Sequence, residues 1–220
     1  PGPVITIIGA THGDELTGPS ACTNLLSSKF TEPGGELDPQ SMAGTVRIVP
    51  VINLPGYRSK SRYFPDGRDL NRAFPGLAKG STTSRVASTV KKNLIDGSDV
   101  IIDLHSAAVG RSNMPQIRGD LSHPESYLLA KAFGIEVVLD SRPPKGSLRR
   151  VANGLDIAAV TYEGGEANQL DQVAVKVAVE GCINVLKSLK VIPKNPARPR
   201  FRLNAGGSTW LRAGEGGLLD

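Results

Sequence analysis

The sequence predicts an α/β fold in which helices cover both faces of a central sheet. Short apolar runs rich in β-branched residues, such as Val4-Ile5-Thr6-Ile7-Ile8 and Val100-Ile101-Ile102, alternate with longer stretches of helical spacing. These runs are nearly continuous rather than alternating, as expected of strands buried on both faces. Histidines follow two of the runs directly, at the strand ends where open α/β sheets place their sites. With 220 residues, 39% of them apolar, one main domain is expected.

Val4 to Gly9 is too short for a helix and reads as a buried strand closed by glycine. Glu15 to Ser28 follows as a helix through Leu16, Leu25 and Leu26. Thr45 to Asn53 is strand-like, and Pro50 marks it as distorted or as an edge. Residues 54–80 form a long polar excursion whose aromatics and arginines favour a functional loop over a disordered one. Ser81 to Leu94 has helical spacing, and Val100 to Leu104 is a strand with His105 at its carboxyl end. A helix is expected from Pro124 to Phe133, stopped by Gly134. Glu136 to Leu139 and Ile157 to Thr161 are strands, and Leu170 to Leu189 is a long amphipathic helix. Prolines at 193, 196 and 199 then break regular structure. The chain thus divides into a main domain over 1–190 and, over 191–220, a linker with the beginning of a second domain. A strand could start at Thr209 to Arg212. The opening Pro1-Gly2-Pro3-Val4 reads like the interior of a longer protein.

No apolar run approaches the roughly 18 residues of a membrane span, and no secretory-type segment opens the chain. Cys22 and Cys182 sit at apolar helical positions typical of buried thiols, which favours a reducing, cytoplasmic setting. The net charge of +5 is concentrated at Arg58, Lys60, Arg62, Arg68 and Arg72. Interleaved Tyr63, Phe64, Pro65, Phe74 and Pro75 make an ordered site for a small anion a better reading than a nucleic-acid surface.

His12-Gly13-Asp14-Glu15 and Asp103-Leu104-His105 bring chemistry to the sheet mouth. His12, Glu15 and His105 are suited to one catalytic zinc with an open fourth position for water. Alone, the His-x-x-Glu pair could merely cap a helix; the two histidines at one sheet mouth change that. Gly13 would ease the turn through its backbone freedom. Asp103, two residues before His105, faces the same way and could orient its ring; Asp14 is the alternative for such a contact. Glu163 is the preferred general base, with Glu166 the competitor. Asn71 and Arg72 suit a substrate carboxylate, and Arg62 or Arg68 could face the attacked carbonyl. Asp69 is expected to hold an arginine. His123, before Pro124, reads as a helix cap.

These motifs in this order resemble the succinylglutamate desuccinylase/aspartoacylase family, within the zinc carboxypeptidase-like hydrolases. The resemblance runs from Gly9-Ala10-Thr11-His12-Gly13-Asp14-Glu15 to Val185-Leu186-Lys187-Ser188-Leu189. It includes Val49 to Asn53, Asp69-Leu70-Asn71-Arg72-Ala73-Phe74-Pro75-Gly76, Asp103-Leu104-His105-Ser106 and Thr161-Tyr162-Glu163-Gly164-Gly165. It implies a three-layer α/β/α fold with a mainly parallel or mixed sheet, lacking its first strands here and followed by a small β-rich domain mostly absent from this chain. It also implies one zinc ion on His12, Glu15 and His105, with Glu163 as base and acid. Asn71 and Arg72 would bind the amino-acid carboxylate. Arg62 matches the carbonyl-polarising arginine best, with Arg68 its competitor. The implied substrate is a small anionic N-acyl amino acid or similar amine, and a homo-oligomer is compatible with it. Nucleic-acid and membrane partners are not expected; a metallocarboxypeptidase or a non-catalytic anion-binding module are the alternatives. Arg111, Arg118 and Arg149 are candidates to line the acyl pocket.

Overall fold

β1 (Val4–Gly9) leads through a tight turn into α1 (Thr17–Leu25), and a short α2 (Ser28–Thr31) follows. β2 (Thr45–Val49) stops just before Pro50. α3 (Leu54–Ser59), a 3-10 turn at Leu70–Arg72, α4 (Thr82–Val90) and a π-helical turn at Lys91–Ile95 then lead to β3 (Val100–Ala107). Beyond it come β4 (Asn113–Gly119), α5 (Pro124–Ala132), β5 (Val137–Asp140), α6 (Leu148–Asn153), β6 (Ala158–Glu166), α7 (Gln172–Ser188) and β7 (Leu203–Ala205). The computed structural model describes residues 2–199, 202–209, 211 and 214–215.

Seven strands form one mixed sheet in the order β2-β1-β3-β6-β4-β5-β7. The first four run parallel, and direction reverses between β6 and β4. β4, β5 and β7 are parallel to one another. β3 is buried along its whole length because it has strands on both sides and helices on both faces. Its alternation divides the core. Val100, Ile102 and Leu104 pack with Ile5, Ile7, Val160 and Tyr162 under α1, α5 and α7. Ile101 packs with Ile8 and Ala159 under α4, α6 and the excursion. His105 and Glu163, side by side in register, project on that second face. The two apolar layers around one sheet are the expected α/β/α architecture.

Several expectations are corrected. The strands expected to stop at Leu104 and Thr161 run on to Ala107 and Glu166, so His105 and Glu163 sit inside strands. The excursion over 54–80 is the ordered loop expected, but it also contains α3 and a 3-10 turn. Asn53 caps α3 by accepting from Gly56 N at 3.0 Å, Asp66 accepts from both Thr83 N and its hydroxyl, and Phe64, Leu70 and Phe74 are buried. β4 and α6 were not expected. β4 has only Ile117 and Gly119 buried, so no apolar run announces it. The segment after Lys190 contributes β7 to the same sheet. Of the strand expected over 209–212, Trp210 and Arg212 lie outside the described residues. No helix among the described residues is long and apolar enough to cross a membrane. Cys22 and Cys182 are free, buried thiols.

Candidate metal centre and its pocket

The turn after β1 carries His12 and Glu15, closed by a hydrogen bond from Glu15 N to His12 O of 3.3 Å. The unusual backbone angle falls on Ala10, at φ 48°, rather than on Gly13. Gly13 is required for space: a Cβ there would lie 2.0 Å from the carbonyl carbon of Gly56. Because that neighbour is backbone, Gly13→Ala is expected to lower stability by about 1–3 kcal/mol. A denaturation midpoint equal to that of the parent chain would refute this.

His12, Glu15 and His105 are all buried and offer three ligand atoms within 4.8 Å of one another. The Nδ1 atoms of the two imidazoles are 3.2 Å apart. The Glu15 oxygens lie 2.7 Å from that of His12 and 2.8 Å from that of His105. Behind the rings stand further carboxylates. Asp103 Oδ2 is 2.8 Å from His105 Nε2, and Asp69 Oδ1 is 3.1 Å from His12 Nε2. Thr11 Oγ1 donates to Asp103 Oδ1 at 2.9 Å. A carboxylate therefore stands behind each ring, hydrogen-bonded to His12 but only within ion-pair distance of His105 Nε2, leaving Nδ1 directed at the shared space. Two nitrogens converging on a carboxylate in a water-poor site suit a divalent cation.

The electrostatics follow from burial and proximity. Burial opposes charge on Glu15, but His105 and His12 outweigh it and hold the carboxyl down to about 2. Burial would lower His105, yet Asp103 and Glu15 raise it well above 6.5. Burial also works against His12, and Glu15 with Asp69 raises it. Glu163 is raised, chiefly by burial, against the pull of His105.

These groups line a cavity of about 260 Å³ shared with Arg62, Asn71, Arg72, Arg111, Arg118, Arg149 and Glu163. Arg62 is anchored by Asp69 Oδ2 at 3.0 Å and reaches Glu15 Oε1 at 3.3 Å. The Asn71 carbonyl oxygen accepts from Leu148 N at 2.9 Å, fixing that side chain on the α6 entry. Arg72 donates to Asn71 O at 2.7 Å. Arg149 is buried, held by Ser141 O at 2.7 Å, and lowered to about 10 by burial and neighbouring Arg118.

The model of the succinylglutamate desuccinylase/aspartoacylase catalytic domain matches residues 1–189. The chain belongs to this family. Among its relatives, an N-alpha-acetyl-L-2,4-diaminobutyric acid deacetylase of Halomonas elongata is 39% identical over 106 residues, covering 48% of this chain and 29% of that protein. A solved succinylglutamate desuccinylase/aspartoacylase of Rhodobacter sphaeroides is 27% identical with a TM-score of 0.78, covering 89% of this chain and 58% of that one. The product-bound ectoine utilization protein EutE (DoeB) of Ruegeria pomeroyi shares the fold at a TM-score of 0.79 and 24% identity, over 93% of this chain and 62% of that one. The chain thus spans less than two thirds of each of these relatives.

In this member of the succinylglutamate desuccinylase/aspartoacylase family, the structure brings together His12, Glu15, His105, Glu163, Arg62, Asn71 and Arg72. Arg68 is exposed and does not line the cavity. Asp103, rather than Asp14, backs a histidine; Asp14 Oδ1 is buried without a hydrogen-bond partner. Glu166 binds Gly110 N and Gln169 at the surface. His123 caps α5, accepting from Ser126 N at 3.3 Å. Sequence reasoning missed the Asp69 contact to His12 and two asparagines. Asn53 Nδ2 donates to Arg62 O at 3.3 Å, and Asn113 Nδ2 to Glu163 Oε2 at 2.9 Å. Asn53-Leu54-Pro55 is a readable helix-start signal; Asn113 had none.

Proposed function

We propose that this chain forms the catalytic part of a zinc-dependent hydrolase that cleaves the amide of an N-acyl amino acid or similar small N-acyl amine. One observation supports it most: Glu163 and the His12–Glu15–His105 cluster line the same small cavity as Asn71 and Arg72. A divalent ion held by those three residues supplies Lewis acidity, which activates water and polarises a carbonyl. Glu163 takes the proton as water attacks the amide carbon and returns one to the departing amine. Arg62, aligned by Asp69, stabilises negative charge on the carbonyl oxygen. It is favoured over Arg68 because it lines the cavity. The amino-acid carboxylate binds Arg72 and the Asn71 amide.

The activities for which the relatives are named, deacetylase and desuccinylase, are consistent with this bond class. A cavity of about 260 Å³ holds one small molecule, which disfavours the extended subsites of a peptidase. Its five arginines favour an anionic substrate. Buried thiols at Cys22 and Cys182 agree with a reducing, cytoplasmic location.

The full-length protein would be analysed for metal and assayed for amine release from N-acetyl-L-aspartate, N-succinyl-L-glutamate and Nα-acetyl-L-2,4-diaminobutyrate. Turnover that chelation abolishes and zinc restores is expected. Tight binding without turnover would point instead to an anion-binding module. Arg72→Ala should raise KM roughly 10- to 100-fold, the size of one hydrogen bond to a charged group, with a smaller change in kcat. Arg72→Lys should rescue it poorly because the paired geometry is lost. An unchanged KM in both variants would remove Arg72 from substrate binding.

A further inference from the structure

β4 pairs with β6 with one residue too many. Gln116, Ile117 and Arg118 stand opposite Glu163, Tyr162 and Thr161, but Asn113 stands opposite Gly165. Three steps on β4 therefore match two on β6, and the extra residue falls within Met114-Pro115. Proline has no N–H to give to a ladder, so this is where a bulge is least costly. Unbroken alternation would turn Asn113 to the face opposite Gln116. The bulge instead re-aims it to the face of Glu163. Met114 is left 64% exposed, while Asn113 lines the cavity.

The result is a directed contact. Asn113 Nδ2 donates to Glu163 Oε2 at 2.9 Å. An ionised carboxylate only accepts, so the amide nitrogen must be the atom that faces it. The other oxygen, Oε1, has Arg118 Nε at 3.9 Å, beyond hydrogen-bond reach. One carboxylate oxygen thus carries a hydrogen bond, while the other has only the long ion pair with Arg118 and is open to accept a proton.

We propose that Asn113 is a positioning residue for the general base. By holding Oε2 it fixes the carboxylate plane and presents Oε1 to the attacking water. The inference rests on the reading of Glu163 as base in an N-acyl amino-acid hydrolase.

The test uses the full-length protein and whichever of the three N-acyl amino acids named above has the highest kcat/KM. Asn113→Ala is expected to lower kcat roughly 10- to 100-fold, the size of one hydrogen bond to a charged group, with KM and metal content unchanged. Asn113→Asp keeps the size of the side chain but cannot donate when ionised and sets a like charge against Glu163. It should lose at least as much kcat, whereas a packing role alone leaves it near the parent. Glu163→Gln in the same assay separates the two claims. If Glu163→Gln is inactive while both Asn113 variants keep kcat within about twofold, the inference is overturned and the reading of the site stands. Full activity in Glu163→Gln, or no turnover by the parent, overturns that reading and the inference with it.

Discussion

Glu163→Gln is expected to lower kcat by about 10²–10⁴-fold, the usual contribution of a positioned acid–base group, while the protein keeps its metal. Glu163 stands beside His105 in the parallel register of β3 and β6, so its side chain shares the cavity of the candidate metal centre without being one of the three converging side chains. Glutamine preserves shape and can still face Asn113, but it cannot take a proton. The loss should therefore fall on kcat, with KM little changed. The direction of the pKa adds a second readout. Burial raises the Glu163 carboxyl, and a base works only when ionised. That rise belongs to the metal-free chain; a divalent cation in the same cavity would favour the ionised carboxylate, so the acid limb of activity should lie lower with metal bound than the Glu163 titration does without it. A variant with parental kcat, or one that loses its metal along with activity, would show that Glu163 does something else.

Much of this arrangement was legible because its main parts obey period-two and period-3.6 rules. β1 and β3 are buried on both faces and read as apolar runs, so the turn carrying His12 and the strand carrying His105 could be located from spacing, although that strand runs two residues past His105. Helix α7 declared itself through its apolar stripe, but its start is set by Asp171, which accepts from Val173 N and Ala174 N, rather than at Leu170 as the spacing predicts. What stayed hidden depended on tertiary context. β4 is a strand by virtue of its neighbours: polar Asn113 and Arg118 line a cavity rather than an apolar layer, and Pro115 argues against a strand. The same applies to Asp69, which is local in sequence to the Asn71-Arg72 pair yet reaches His12 across 57 residues. The arginine partner expected of Asp69 is Arg62, at 3.0 Å. The contact to the imidazole needed the fold. Gly13 shows a third kind of limit: a glycine can be anticipated, but only the approach of Gly56 distinguishes a demand for space from one for backbone freedom.

Glu15→Gln is expected to abolish metal retention and activity together, and the reason lies in how charge is distributed around it. Glu15 is the only carboxylate among the three converging ligand residues, and one oxygen lies near each imidazole. It also accepts from Ser106 N at 3.0 Å, which fixes its orientation from the floor of β3. Glutamine keeps the volume but removes the anionic ligand. Loss of an outer partner, as in Asp103→Asn or Asp69→Asn, costs about 10–100-fold in metal affinity because the ring remains a ligand but is held less firmly. Loss of Glu15 should exceed that, so the order of affinities is parent, then the two aspartate variants, then Glu15→Gln. Protons compete for the same atoms. In the metal-free chain Glu15 is held ionised down to about 2, while both histidines are raised above 6.5. The Glu15 contribution to metal-free stability is present above 4.5 and lost as pH falls towards about 2. The histidine contribution is full below 6.5 and lost as pH rises through the raised values. Ligation needs neutral rings, so metal binding must expel those protons and should tighten as pH rises through the same range. Zinc titration calorimetry in buffers of differing ionisation enthalpy would measure both the ranking and the proton release. Stoichiometric zinc in Glu15→Gln, or affinity independent of pH, would mean that the ion is not held by these three side chains.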